Sequence, residues 1–140
     1  MKTDEQNSNL PSDEDKLRLA NTFITSLKSN DWDTMRSILA VDASWTLPGT
    51  SLLSGYADGA EAIIKRAQGL KHFGVNFDLK YILIGFKGFT LSLRNTTSRG
   101  ELILDEQVAI VFEVEDNKIA DMATYLSDVA GINAFFIAGI

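Results

Sequence analysis

The second half of the chain alternates between apolar and polar residues with a period of two, and this pattern most restricts the possible fold. Four such stretches occupy residues 75–86, 89–97, 102–114 and 119–127, separated by the short turns "GFKG", "SRG" and "EDNK". Successive residues of a strand point to opposite faces of a sheet, and short turns favour antiparallel hairpins. The pattern therefore predicts four strands that pair in the order in which they occur.

The first half of the chain has helical spacing instead. Ser12 is placed to cap a helix that begins near Asp13, Asn30 to cap a second helix over 31–40, and a third is predicted over 58–70. A short strand, "ASWTLPG", and a loop, "TSLLSGY", separate the second helix from the third. The order of helices followed by strands is typical of an α+β fold, with an antiparallel or mixed sheet covered by helices on one face.

The two ends of the chain differ from this core. Residues 1–12 are polar and acidic, so we expect them to be disordered. Residues 128–140 form an apolar tail with some helical character. The length of 140 residues is enough for one domain, which we place at 13–140.

The later strands are apolar on both faces, which an antiparallel sheet with one solvated face should not be. Val108, Ile110 and Phe112 share one face of the third strand, while Ala109 and Val111 share the other. Helices can cover only one of these faces. We therefore expect a homodimer packed sheet to sheet through the outer face, the alternative being that the apolar tail folds across it.

Composition excludes several classes of function. A net charge of −6 argues against a nucleic-acid partner, and the absence of cysteine removes disulfides, thiol nucleophiles and thiolate metal sites. His72 is the only histidine, so we expect neither a metal nor a cofactor. No apolar run reaches the roughly 20 residues that a membrane span needs, and the N-terminus lacks the apolar segment of a signal peptide. The pattern favours a cytoplasmic protein with no membrane partner.

Three segments carry a resemblance to a known family: "LKSNDWDTMRSILAVDASWTLPG", "GYADGAEAI" and "VFEVEDNKIADMATYLSD". In their order and spacing the chain resembles the SnoaL-like branch of the nuclear transport factor 2-like superfamily, which includes ketosteroid isomerases, polyketide cyclases and limonene epoxide hydrolase. The resemblance implies a cone-like fold, in which a strongly curved sheet wraps three N-terminal helices. It also implies an apolar pocket at the wide end of the cone, and frequent dimers.

The catalytic residues of the ketosteroid isomerases do not carry over. The tyrosine of the first helix corresponds to Phe23, and the aspartate before the first-strand proline corresponds to Leu47. The acid of the late strand corresponds to Ile110, within one residue. None of these side chains can exchange a proton, so the resemblance excludes isomerisation by that set of residues.

Glu106 and Asn95 are the polar candidates that remain. The resemblance places Glu106 on the inner face, in the row that contains Val108, and Asn95 ends the inner row of the preceding strand. Glu106 would be a general base or acid with a raised pKa, and Asn95 would position a substrate oxygen. The alternative is that Glu106 forms an ion pair at a solvated sheet edge, with Arg94, Arg99 or Lys80.

His72 is the second acid–base candidate, because a histidine titrates near neutral pH; alternatively it is a solvated residue favoured by a helix C-terminus. Asp105 points outward, where we expect it to fix the register of the dimer. The remaining predicted pocket residues are apolar or aromatic: Phe23, Trp45, Leu47, Tyr56, Ile110 and Phe112.

These observations leave three hypotheses for function. The first is a pocket protein that acts on a small apolar carbonyl, epoxide or polyketide-like compound by cofactor-free proton transfer, with Glu106 or His72 as the base. The second is a module that binds an apolar ligand without chemistry. The third is a dimerisation or interaction module whose pocket has no ligand.

Overall fold

The computed structural model describes residues 10–138 as four helices packed on a curled, six-stranded mixed sheet. The helices are α1 (Asp13–Ser29), α2 (Trp32–Ser37), α3 (Ala60–His72) and α4 (Val129–Phe135). The strands are β1 (Leu39–Leu47), β2 (Gly55–Asp58), β3 (Asn76–Ile84), β4 (Gly88–Arg99), β5 (Leu102–Glu115) and β6 (Lys118–Leu126). The predicted α+β class and the four successive strands are confirmed.

The sheet has the order β2-β1-β6-β5-β4-β3. Every neighbouring pair is antiparallel except β1 and β6, which run parallel and make the sheet mixed. Most of the segment predicted to be disordered, residues 1–12, lies outside the described residues. Within residues 10–138, no helix is long and apolar enough to cross a membrane.

The first helix begins where its sequence predicts, because the Ser12 side chain accepts a hydrogen bond from the Asp15 N–H at 3.0 Å. The predicted cap of the second helix was wrong. Asn30 adopts a left-handed conformation with φ 59° and closes α1, and the Asp31 carboxylate caps α2 by accepting from the Thr34 N–H. Asparagine tolerates this conformation better than most residues, which makes it a common helix terminator.

The first strand begins at Leu39, earlier than the predicted residue 43, and the second helix ends correspondingly early. Leu39 pairs with Ile119 of β6, so residues from 39 onward are extended. The sequence around Leu39 has helical spacing and gives no sign of this partner strand. The short strand β2, predicted as the end of a loop, likewise depends on its antiparallel pairing with β1. In both cases tertiary pairing overrides local preference.

Strand β3 contains an irregularity that changes the face of its later residues. Leu79 pairs with Leu93, but Tyr81 pairs with Ser92, so one residue of β3 is left over. A bulge of this kind shifts the alternation by one. Tyr81 and Leu83, which uninterrupted alternation would place on the same face as Leu79, are therefore 67% and 55% exposed.

The outer face of the sheet carries two rows that cross β3, β4, β5 and β6, and we call these eight residues the outer patch. They are Tyr81, Ser92, Ala109 and Tyr125 in one row, and Leu83, Thr90, Val111 and Ala123 in the other. The outer patch is free of charged side chains. The alternative in which the C-terminal tail covers this face is wrong, because Ile132 and Phe136 of the tail are buried at the inner face.

Candidate functional site

A small cavity lies between the inner face of the sheet, the helices α1 and α3, and the C-terminal residues. Its volume is about 30 Å³, which is room for one or two water molecules. Its walls are apolar except for four residues, Trp45, Asn95, Glu106 and Thr124. Among the described residues that line the cavity, Glu106 is the sole ionisable side chain.

Glu106 points inward from β5, as the resemblance implied, and is only 2% exposed. Its Oε1 atom accepts hydrogen bonds from the Asp128 N–H at 3.0 Å and from the Ser127 hydroxyl at 3.4 Å. Burial raises the pKa of Glu106, and the nearby charge of Asp128 adds to this, while the Asp128 N–H acts in the opposite direction.

The predicted alternative, an ion pair of Glu106 at a solvated edge, is wrong. Within residues 10–138, no lysine or arginine forms a salt bridge with Glu106. Arg94 instead binds the outward carboxylate of Asp105 through two hydrogen bonds of 2.9 and 2.7 Å. Asp105 thus has a partner within its own chain.

The start of α4 is built around the Glu106 carboxylate. Asp128 caps this helix by accepting from the Gly131 N–H at 3.0 Å. A Cβ atom at Gly131 would lie 2.9 Å from Glu106 Oε2 and 2.7 Å from Asp128 Oδ2. Glycine is therefore required for the helix backbone to approach both carboxylates this closely.

Asn95 lies directly opposite Glu106 in the ladder between β4 and β5. Cβ atoms of such a pair are about 4.5–5.5 Å apart. The Asn95 Oδ1 atom is buried and has no hydrogen-bond donor among the described residues. An amide oxygen and a carboxylate thus form an acceptor-rich end of the cavity, and a buried acceptor is normally matched by a donor.

Thr124 marks a second polar position on the cavity wall. Its Oγ1 atom accepts a hydrogen bond from Trp45 Nε1 at 2.6 Å, which leaves the hydroxyl proton free to donate. Thr124 pairs with Ile110, four residues along β5 from Glu106, and four strand residues span about 13 Å. Apolar wall therefore separates the two polar ends of the cavity.

Arg66 of α3 fixes the position of Trp45. Its Nη1 donates to the Trp45 carbonyl at 2.6 Å, and its guanidinium carbon lies 5.2 Å from the centroid of the indole ring. Burial lowers the pKa of Arg66 to about 10. The sequence pattern had indicated no role for this residue.

Residues 127–138, which we call the C-terminal segment, close the cavity with Ile132 and Phe136. Three hydrogen bonds, from the loop between β1 and β2 and from the end of β4, hold it in place. The Arg99 Nη2 donates to the Phe135 carbonyl at 2.8 Å, the Leu52 N–H to the Phe136 carbonyl at 2.9 Å, and the Thr50 N–H to Asn133 Oδ1 at 2.7 Å. The resemblance had implied a pocket but not this closure.

Five of the predicted site residues line the cavity: Trp45, Leu47, Asn95, Glu106 and Ile110. Phe23 and Phe112 instead pack edge to face in the core, with ring centroids 5.0 Å apart. His72 is exposed at the end of α3, and Tyr56 is 64% exposed on β2. The structure does not bring either of these two residues to the cavity.

Three further residues shape the site without having been predicted: Thr124, Gly131 and Phe136. For Thr124 a signal was present, since the period of β6 places it between the inward residues Met122 and Leu126. For Phe136 the sequence offered no such signal, because only the packing of the C-terminal segment shows which face of the tail is buried. Residues 10–138 contain no cluster of three or more His, Cys, Asp or Glu suited to a metal ion.

No protein-family model matches the chain, and no curated protein matches it. Solved structures do. Bal32a from a soil-derived mobile gene cassette is 26% identical, with a TM-score of 0.82 over 89% of this chain and 98% of that one. An NTF2-like protein from Burkholderia xenovorans LB400 is 15% identical, with a TM-score of 0.74 over 89% and 98%. An LEH-like epoxide hydrolase from M. tuberculosis is 20% identical, with a TM-score of 0.70 over 90% and 92%. The chain therefore has the nuclear transport factor 2-like fold that its sequence indicated.

Proposed function

We propose that this chain, with its nuclear transport factor 2-like fold, holds a small and largely apolar molecule in the inner cavity. Glu106 transfers a proton to or from that molecule without a cofactor. The observation that carries the proposal is a buried carboxylate beside an unpartnered amide oxygen, Asn95 Oδ1, on an otherwise apolar wall. An apolar carbonyl compound or epoxide fits these walls.

The chemistry follows from the protonation of Glu106. A glutamate whose pKa is raised by burial is a stronger base than an exposed one. Its carboxylate removes a proton from a carbon next to a carbonyl group, and the electron pair moves to the carbonyl oxygen. In a β,γ-unsaturated carbonyl compound, return of the proton to the γ-carbon moves the C=C bond next to the carbonyl group, which completes an isomerisation in which nothing is oxidised or reduced.

The two polar ends of the cavity orient the ligand. The Thr124 hydroxyl can donate to a carbonyl or epoxide oxygen, while Asn95 Oδ1 accepts from a hydroxyl group or a bound water. A water held between Asn95 and Glu106 would lose its proton to the same carboxylate. Epoxides therefore belong in the test, and the neighbour from M. tuberculosis described as an LEH-like epoxide hydrolase supports that choice.

Ligand entry requires the C-terminal segment to move. A cavity of about 150 Å³ is needed to hold benzene, whereas the closed cavity has about 30 Å³. Phe136 and Ile132 separate it from solvent, and a few hydrogen bonds hold them there. Displacing these two side chains enlarges the space beside Glu106 without breaking the sheet.

Two reactions test the proposal. Cyclohexanone in D₂O reports proton removal next to a carbonyl group by loss of its NMR signal, and styrene oxide reports hydrolysis. We expect the protein to accelerate at least one of them and Glu106→Gln to abolish the effect. Asp105→Asn is the matched control, since it removes the same charge from the next residue on the opposite face. Equal activity of Glu106→Gln and the unmodified protein would contradict the proposal.

A second candidate function is ligand binding without chemistry. Its supporting observation is that no other ionisable group on the described cavity wall accompanies Glu106, because Leu47 and Ile110 occupy the positions of acids in the isomerases. In that case a cavity ligand is recovered unchanged after incubation, and Glu106→Gln weakens its binding but affects no reaction.

We also propose that the outer patch packs against a second copy of this chain. Four strands present an uncharged surface in which Tyr81, Leu83 and Tyr125 are more than half exposed. A two-fold dimer buries the same patch of each partner, so a second copy matches it in both size and polarity. Concentration-dependent sedimentation of the unmodified protein tests this assembly.

A further inference from the structure

A second concave site lies outside the inner cavity, between the loop that precedes β2 and the helix α3. This cleft has a volume of about 430 Å³. Leu52, Leu53 and Tyr56 contribute apolar surface to its lining, and Lys65 and Arg66 contribute positive charge. Its described lining contains no aspartate or glutamate, although the chain as a whole carries a net charge of −6.

Arg66 makes this cleft unusual. The residue is only 8% exposed, and both of its hydrogen bonds go to neutral carbonyl groups, those of Trp45 at 2.6 Å and Gly55 at 2.9 Å. No carboxylate forms a salt bridge with it among residues 10–138. A buried charge without a counter-ion is costly, and the lowered pKa of Arg66, about 10, reflects that cost.

The guanidinium group has donors to spare. Of its five N–H groups, two are used by the carbonyls, and a planar guanidinium binds a carboxylate through two parallel hydrogen bonds. The Lys65 ammonium on the exposed rim adds a second positive charge. In the same cleft, Leu52 is 59% exposed and offers a surface for hydrocarbon.

We infer that this cleft binds an organic carboxylate with an apolar body, its carboxylate at Arg66 and its hydrocarbon part on Leu52, Leu53 and Tyr56. This site is separate from the proposed reaction site, since Glu106 does not line it. Binding neutralises the buried charge of Arg66 and thereby stabilises the folded chain.

Octanoate is a suitable probe, with acetate and the uncharged 1-octanol as controls. We expect octanoate to bind, as measured by chemical-shift changes of the amides of residues 52–56 and 65–69, and to raise the thermal midpoint of unfolding. Acetate lacks the apolar body and 1-octanol lacks the charge, so each should bind at least about tenfold more weakly. Equal binding of octanoate and 1-octanol would overturn the inference.

Variants locate the site. Arg66→Lys keeps the charge but loses the planar fork, and should weaken octanoate binding about tenfold. If that variant does not fold, Lys65→Gln still tests the inference, with a weakening of about twofold to threefold as expected of a rim charge. Lys87→Gln, in the turn between β3 and β4, removes the same charge elsewhere and should change nothing. An equal effect of Lys65→Gln and Lys87→Gln, or shifts confined to the residues of the inner cavity, would overturn the inference.

Discussion

Asn95 lies directly across the β4–β5 ladder from Glu106, and its buried Oδ1 atom has no donor among the described residues. Two acceptors thus face one another on a wall that is otherwise apolar. The arrangement is stable only when a donor lies between them or when Glu106 carries a proton itself. Either condition links the protonation of Glu106 to whatever occupies the cavity.

The stability of the protein should depend on pH through Glu106. Because its folded pKa is raised, the protonated form is favoured in the folded state. Stability from this group is complete below the ordinary glutamate pKa of about 4.3 and is lost as pH rises through the folded pKa. The Glu106→Gln variant lacks this loss, so its stability relative to the unmodified protein should grow from about pH 4 towards neutrality. Urea unfolding of both proteins at a series of pH values measures this difference in the free energy of unfolding.

The same titration should govern activity. If Glu106 is the base, activity falls as pH decreases through its folded pKa, and the midpoint lies above the ordinary glutamate range because of burial. The pH profile of the accepted substrate measures this midpoint. A midpoint at the ordinary glutamate value would assign the base to another group.

Gly131→Ala should destabilise the protein, although alanine normally stabilises a helix interior by about 1 kcal/mol over glycine. Its added Cβ would approach Glu106 Oε2 and Asp128 Oδ2 within 3 Å, so one carboxylate must move. Ala130→Gly, at the adjacent helix position, measures the ordinary effect of propensity. Chemical denaturation of both variants separates the effect of the close contact with the carboxylates from the effect of helix propensity. A stabilised Gly131→Ala would mean that the carboxylates move away without cost and would contradict this prediction.

Phe136→Ala should open the cavity beside Leu27 and Ile132. Removing a buried phenylalanine costs about 3–5 kcal/mol and leaves space for a ligand. Benzene or cyclohexanone should restore part of this stability in the variant, and should restore less in Phe23→Ala, where the space lies in the packed core. Thermal unfolding with and without the ligand measures the difference.

The outer patch should determine the oligomeric state. Val111→Lys places a charge at the centre of the patch, where burial against a second copy would be costly. Val41→Lys, at an 87% exposed position of β1 outside the patch, is the control. Sedimentation should show dissociation of Val111→Lys only. A monomeric unmodified protein would refute the dimer.

Strand period grouped Glu106 with Val108, Ile110 and Phe112 on one face, and the family resemblance implied that this face points inward. All four residues are buried. The same rule failed at Tyr81, since no glycine or proline announces the bulge in β3. The sequence of one strand shows how its apolar and polar residues alternate. The position of a bulge also depends on how that strand pairs with its neighbour, which the sequence of one strand does not show.

The closure of the cavity could not be predicted at all. The apolar tail was compatible with either face of the sheet, and only the contacts of the C-terminal segment with Thr50, Leu52 and Arg99 decide between them. Cavity volume depends on the packing of side chains that are distant in sequence, such as Leu27 and Phe136. The position of His72 outside the cavity has the same origin, since α3 ends with that side chain in solvent.

The most direct test of the account is a ¹³C NMR titration of the Glu106 carboxyl carbon, assigned by comparison with Glu106→Gln, in the presence and absence of cyclohexanone. We predict a midpoint above the range of exposed glutamates, and a further change in that midpoint when the ligand is present. A midpoint in the ordinary range that does not respond to the ligand would contradict the claim that Glu106 is the buried proton-transfer group of a ligand cavity.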